Sequence, residues 1–384
     1  MPEPALRILI TMHSVNPRGG VVHALELGEA LRRAGHEVTL FAPAGRGEPL
    51  FRATGCEVVL APTAPAAGPA LVDRVRARIE ACIVPLTALI ERAPFHILHA
   101  QDSITGNALA TLRARGAIDG YVRTVHHLDH FDDAQLMAWQ TRAFRDAAQV
   151  LCVSRLWRDT LRDHYGIAAA PVPNGVDLAR YTPQAVPLDA AVARRHGIGE
   201  GPVILAVGGV EERKNSLRLL DAFARLRAAR PGAQLVIAGG ASLLDHDAYA
   251  RVFAARAHDL GVQGALAVTG PVDDAEMPSL YRLADVLAMP SLREGFGLAV
   301  LEALACGTPA VAPRIAPFTE HLTDADVAWA DPFDVESIAR ALSHALDWPR
   351  FDSVPEVCFR HDWATSAARH VELYRQALAA APIC

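Results

Sequence analysis

One pattern constrains this chain more than any other: short runs of consecutive apolar residues alternate with longer stretches of helical period. A run that is apolar at every position suits a strand buried on both faces, and parallel sheets covered by helices supply that environment. Arg7–Thr11 (RILIT) predicts the first such strand. A loop, MHSVNPRGG, and a helix from about Val22 to Ala34 follow; Gly35 stops the helix and the next strand starts near Glu37. This is a β-α-β unit of the ordinary kind. Further strands are predicted at CEVVLAP, FHILHA, YVRTVHH and AQVLCVS, with helices over 69–92 and 134–147. Ala42–Pro49 and Pro62–Pro69 read as turn-rich loops.

The second half restarts the pattern. GPVILAVGG, AQLVIAGG, ALAVTG, DVLAMP and PAVAP read as strands; SLRLLDAFARLRAAR, a segment near 245–260, MPSLYRLA and LAVLEALAC read as helices. The expected fold class is α/β, with a doubly wound parallel sheet in each half. The Pro-rich, charged connection Tyr181–Gly201 is the expected boundary, between a first domain over 1–180 and a second over 190–361. The tail from about His361 reads as one amphipathic helix, 362–384, expected to pack back on the first domain. Two such sheets facing each other would leave a cleft at the carboxyl ends of their strands, where open α/β sheets bind ligands.

Composition removes several classes. Apolar residues make up 51% and charged residues 21% of the 384, a globular balance and not a disordered one. A net charge of −6 argues against a nucleic-acid partner, which calls for a basic face to neutralise phosphates. No run approaches the roughly 20 apolar residues of a membrane span. The first apolar stretch, Ile8–Ile10, is too short for a secretion signal, so a cytoplasmic protein is expected. Cysteines at 56, 82, 152, 306, 358 and 384 form no C-x-x-C pair and sit mostly in apolar runs, the pattern of buried thiols. Of the 37 basic residues, only Lys214 is a lysine. A compact ammonium kept in an otherwise all-arginine chain suggests a place where a planar guanidinium does not fit.

The strongest constellation is SLREGFGLAVLEALACGTPAV, residues 291–311. Gly295 and Gly297 let backbone amides approach a ligand closely. The helix start near Leu298 and Ala299 offers N–H groups to a phosphate. A carboxylate such as Glu302 can accept from both hydroxyls of a ribose, and Glu294 can do the same for sugar hydroxyls.

On these residues the chain resembles glycosyltransferase family 4, the retaining enzymes of the GT-B fold. Other segments match that family in order: PRGG and the following helix ending AGHEV, TVH at 124–126, PNGVD at 173–177, VGGVEERKN at 207–215, VIAGG at 236–240, VTGPV at 268–272 and ADVLAMPS at 284–291. The resemblance implies two Rossmann-like domains. It places Lys214 at the lysine that contacts the donor diphosphate, Glu302 at the ribose-binding acid and Glu294 at the acid facing the donor sugar. Phe296, between Gly295 and Gly297, belongs to the same donor loop. Gly270 and Val272 match the turn that packs on the nucleotide base, Gly19 and Gly20 the mobile loop that closes on the donor. His126 matches the histidine near the reacting centre. Many members carry an arginine where this chain has Gly209; Arg213 is the candidate to supply that charge.

Competing readings attach to three features. In TVHHLDH, His126, Asp129 and His130 would form a metal set only with helical spacing, which the end of a strand does not provide. His127 and His130 then read as residues that support the contacting groups from behind or lie on the acceptor side. Asp245-His246-Asp247 and Asp324-Ala325-Asp326 have D-x-D spacing; Asp245 or Asp247 reads as a helix N-cap and the second set as a polar turn, so no metal site is expected. Arg74, Arg76 and Arg78, with Arg32 and Arg33, read as solvated helix faces and leave peripheral membrane contact open.

The chain lacks both G-x-x-x-x-G-K-[ST] and a G-x-G-x-x-G after the first strand, which counts against a P-loop enzyme and against a dinucleotide cofactor. The function implied by the resemblance is retaining, metal-independent glycosyl transfer. Its donor is a nucleotide diphosphate sugar used as co-substrate without a cofactor, and its acceptor is a small molecule, a glycan or a lipid-linked acceptor. The alternatives are an epimerase or phosphorylase on the same architecture, or a non-catalytic nucleotide-sugar sensor.

Overall fold

The computed structural model describes residues 4–63, 66, 68–240 and 246–380. The chain divides into two units, Met1–Gly175 with Trp363–Cys384, and Val176–Asp362. In the first unit the order is β1 (Arg7–Thr11), α1 (Gly19–Arg33), β2 (Glu37–Ala44), β3 (Glu57–Pro62), α2 (Leu71–Arg92), β4 (Ile97–Ala100), α3 (Ser103–Ala114), β5 (Val122–Val125), α4 (Ala134–Arg145), β6 (Gln149–Cys152), α5 (Arg155–Tyr165) and β7 (Ala169–Pro171). The strands form one sheet in the order β3-β2-β1-β4-β5-β6-β7, every described pair parallel. Polar caps start several helices: Asp102 accepts from Thr105 N–H at 2.8 Å and Ser154 from Trp157 N–H at 3.4 Å. Leu9, Phe41, Leu86, Leu98, Leu109 and Tyr121 fill one core between strands and helices.

The second unit runs α6 (Pro187–His196), β8 (Val203–Val207), α7 (Ser216–Ala229), β9 (Gln234–Ala238), α8 (Asp247–Asp259), β10 (Leu266–Gly270), α9 (Met277–Leu283), β11 (Val286–Ala288), α10 (Leu298–Ala305), β12 (Ala310–Pro313), β13 (Ala328–Ala330), α11 (Val335–Leu346) and α12 (Glu356–Arg360). Its sheet order is β10-β9-β8-β11-β12-β13, again parallel. Ile204, Phe223, Leu235, Phe253, Val286 and Leu342 anchor its core. The chain then returns to the first unit as α13 (Trp363–Ala380), which buries Trp363, His370 and Tyr374 there.

Several expectations shift. α1 begins at Gly19, not near Val22, so Gly19 and Gly20 lie in its first turn and not in a loop. β2 continues through Ala44 and β3 through Pro62, because their backbones keep pairing where Pro and Gly suggested turns. The connection expected as a boundary contains α6, whose Asp189 is held by Arg282 of α9 at 2.7 Å, and the units part at Gly175. Asp247 is the first residue of α8 and His246 precedes it as the cap position; Asp245 lies outside the described residues, as does Cys384. The other five cysteines are buried and free.

Candidate functional site

In an open parallel sheet, the strand order reverses at one place, and the loops there leave the sheet at the same end with room between them. In the second unit that place lies between β8 and β11. The loop after β8 carries Arg213 and Lys214, the loop after β11 carries Glu294, and the three meet. Lys214 Nζ lies 2.8 Å and Arg213 Nη1 3.0 Å from the same Glu294 carboxylate oxygen. Buried Asn215 ties the loops together, its amide donating to the carbonyls of Pro290 at 3.0 Å and Pro332 at 2.6 Å. Burial alone would raise the Glu294 pKa; the Lys214 and Arg213 charges outweigh it and hold it down to about 2. Glu211, also buried, takes Arg213 on one oxygen at 2.7 Å and His246 on the other at 3.2 Å.

Gly297 precedes α10 with φ of 102°, in the left-handed region, and supplies no side chain to cap the helix. A Cβ there would stand 2.5 Å from Phe318 Cε1, so both torsion and space require glycine. The Phe296 ring is buried, stacked on His321 at 4.4 Å and edge-on to His361. Glu302, further along α10, accepts from the Tyr281 hydroxyl at 2.6 Å. Gly270 is drawn to the same end of the sheet: Gly208 N–H donates to Ala238 O and Gly239 N–H to Gly270 O, linking the ends of β8, β9 and β10. Val272, half-buried, follows that turn.

The first unit holds its own cluster. His126 follows β5 and is buried; its Nε2 lies 2.8 Å from Gln101 Oε1, and the His23 ring meets it edge-on at 4.7 Å. A Cβ on Gly20 would fall 3.2 Å from His126 Cδ2, so the first turn of α1 closes against this ring. His23 bonds Asn174 at 2.7 Å, His99 bonds Tyr374 and Thr124 at 2.7 Å each, and His370 bonds the carbonyl of Ser366 at 2.8 Å. Burial first, then neighbouring histidines, lowers His23 to about 3 and takes His99 and His126 well below 6.5.

The remaining sequence candidates are held by other partners, although His127 adjoins His126 and helps to lower its pKa. His127 pairs with Asp129 at 3.3 Å, and His130 with Asp132 at 3.9 Å, the second pair well exposed. Asp324 pairs with Arg314 at 2.9 Å, and Asp326 closes a turn by accepting from Thr323. Among the described residues no group of three or more His, Cys, Asp and Glu is placed to hold a metal. Arg76 reaches Asp73 at 3.9 Å, Arg32 reaches Glu29 at 3.1 Å, and Arg78 donates inward to the carbonyl of His13. No described helix is long and apolar enough to cross a membrane.

Residues 17–180 match the family described as Glycosyltransferase Family 4, and residues 191–358 the one described as Glycosyl transferases group 1. The D-inositol 3-phosphate glycosyltransferase of Xylanimonas cellulosilytica is 30% identical over 94% of this chain and 92% of its own. The chain belongs to the family 4 glycosyltransferases. This glycosyltransferase is also 29% identical to the GDP-mannose-dependent alpha-(1-6)-phosphatidylinositol monomannoside mannosyltransferase of Mycolicibacterium smegmatis, over 95% of this chain and 97% of the relative. Among solved structures, sucrose-phosphate synthase from Thermosynechococcus elongatus matches with a TM-score of 0.79 at 20% identity, covering 98% of this chain and 100% of that one. That likeness shows the GT-B fold.

Sequence reasoning passed over four residues of the glycosyltransferase's two clusters: Glu211, Tyr281, Gln101 and His23. Glu211 had a signal, an acid two places before Arg213 in a loop otherwise read for its cations. The other three reach their partners only through tertiary folding: Tyr281 meets Glu302, Gln101 meets His126 and His23 meets Asn174.

Proposed function

We propose that this glycosyltransferase binds a nucleotide diphosphate sugar on its second unit and transfers the sugar, with retention at the anomeric carbon, to an acceptor held by the first. The observation that carries the reading is the convergence of Lys214 and Arg213 on Glu294 at the strand-order reversal, four residues before α10 begins. A diphosphate leaving group gathers negative charge as the glycosidic bond to phosphate breaks. Fixed ammonium, guanidinium and N–H dipoles stabilise that charge in a site that is already organised. In this reading no metal is needed. Glu294, kept ionised, accepts from hydroxyls of the donor sugar, Glu302 accepts from the ribose, and His126 contacts the sugar near the reacting carbon. The acceptor oxygen bonds to that carbon on the face the phosphate leaves, and the departing phosphate takes the acceptor's proton. Gly270 and Val272 pack against the base.

The test is a panel of nucleotide sugars scored by thermal shift and then by transfer. GDP-mannose and inositol-bearing acceptors come first, because the relatives are named for them. A true donor at 100 times its dissociation constant adds about 2.7 kcal/mol of stability. Transfer should persist in EDTA and give a product of unchanged anomeric configuration. Glu302→Ala should mainly weaken nucleotide binding and Glu294→Ala mainly turnover. An inverted product, or activity lost in chelator and restored by a divalent ion, would overturn the reading.

A further inference from the structure

We infer that Gln101 is a positioning residue that holds His126 as its Nε2–H tautomer, so that His126 presents Nδ1 to the transferred sugar as a hydrogen-bond acceptor. The inference rests on the proposed contact between His126 and the sugar, and it specifies the chemistry of that contact. Gln101 follows β4 and is buried. Its amide nitrogen lies 3.2 Å from Nε2 and 3.3 Å from Nδ1 of His99, equidistant from the two and hence over the face of the ring. The in-plane directions of His99 are already taken, Nδ1 by the Tyr374 hydroxyl and Nε2 by the Thr124 hydroxyl. An N–H over the face of a neutral aromatic ring is attracted to its π electrons, whereas a carbonyl oxygen there is repelled.

The amide is therefore held one way round, nitrogen over His99 and oxygen towards His126. That oxygen can only accept, so the proton between Gln101 and His126 sits on His126 Nε2. In a neutral imidazole with a protonated Nε2, Nδ1 is an acceptor. Burial keeps both His126 and His99 neutral.

Two further contacts fix the ring. The Cδ2–Nε2 edge of His126 faces Gly20 of α1, where a Cβ would stand 3.2 Å from Cδ2 and 3.6 Å from Nε2. His23 packs edge-on beside it. The Nδ1 edge has no hydrogen-bond partner among the described residues. It is also absent from the sealed, unpartnered atoms of the cluster, which are Nε2 of His23 and Nε2 of His370. The ring thus offers outwards one nitrogen, the one without a proton.

The experiment is long-range ¹⁵N–¹H correlation spectroscopy on the full chain with labelled histidine, the His126 signals identified by their loss in His126→Ala. His126 should show a protonated Nε2 and a bare Nδ1. Gln101→Met keeps the length of the side chain and removes the acceptor. In that variant the Nδ1–H tautomer should become detectably populated, kcat should fall about tenfold, and donor KM and nucleoside diphosphate affinity should stay within about twofold. A protonated Nδ1 in the wild-type protein overturns the inference, and so does a Gln101→Met variant that keeps both the wild-type tautomer and the wild-type kcat. Full transfer activity in His126→Ala would instead remove the sugar-contact reading beneath it.

Discussion

At the scale of single residues, Lys214 shows why one ammonium persists in a chain of arginines. Its stem runs over Gly208, where a Cβ would stand 2.5 Å from Lys214 Cε, and its Nζ reaches a buried carboxylate. A guanidinium is broader and planar and cannot occupy the same point as that ammonium. A charge-assisted hydrogen bond contributes about 1.5–3 kcal/mol. Lys214→Ala should therefore weaken nucleoside diphosphate binding by about tenfold or more, and Lys214→Arg should restore only part of it. Calorimetric titration with the diphosphate and with the matching nucleoside checks this. An unchanged diphosphate affinity in Lys214→Ala, or an equal loss for the phosphate-free nucleoside, would refute the role. Arg213 is not a lone cation: Glu211 and Glu294 both hold it, as part of a charge cluster.

At the scale of elements, the departure at Gly209 has a backbone cause. This residue has φ of 84°, and a Cβ on it would lie 3.2 Å from the carbonyl oxygen of Gly240, in the loop after β9. The close approach of those two loops, joined by Gly208 N–H to Ala238 O, leaves no relaxed place for a side chain. Gly209→Arg, which installs the arginine that the family resemblance implies, should therefore cost about 1–2 kcal/mol from the left-handed torsion. In a unit of this size that is a fall of a few degrees in Tm. Donor affinity should not improve. Thermal unfolding and donor titration of the variant decide it, and tighter binding at an unchanged Tm would show that the loop accepts the side chain freely.

At the scale of the whole molecule, the return of α13 to the first unit joins distant parts of the chain through buried histidines. His370 from α13 lies 5.8 Å from His23 of α1 and 5.8 Å from His99 of β4, centroid to centroid. Burial holds His23 at about 3 and His370 at about 4, against 6.5 for an exposed ring, with His99 and His126 well below that value. The unfolded chain binds these protons at a higher pH than the folded one does. Stability is therefore complete above about pH 6.5, falls as the pH drops towards 4 and 3, and levels off once the folded rings protonate. Each such ring costs on the order of 1 kcal/mol per pH unit within that window. Hydrogen exchange, corrected for its intrinsic pH dependence, should show protection in α1 and α13 falling steeply between pH 7 and 5. His370→Gln should flatten that slope. A pH-independent protection pattern would mean that the cluster admits charge without cost.

The amino-acid sequence by itself determined the parallel α/β character of both halves, because a strand buried on two faces must be apolar throughout, and that pattern is local. It also marked the segment 291–311 as a candidate site, since glycines, a helix start and two acids fall within one short stretch. Tertiary structure alone decided the rest. α1 starts at Gly19, and its first turn closes at Gly20 on His126 from a distant strand, a contact no local pattern announces. β2 and β3 outran their Pro and Gly signals because ladder pairing with neighbours outweighs local turn preference. Glu294 is held ionised by cations some eighty positions earlier, and Gln101 is oriented by His99, Thr124 and Tyr374. Such partners are specified by which strands lie side by side at the reversal of sheet order, and no local pattern in a chain encodes that adjacency.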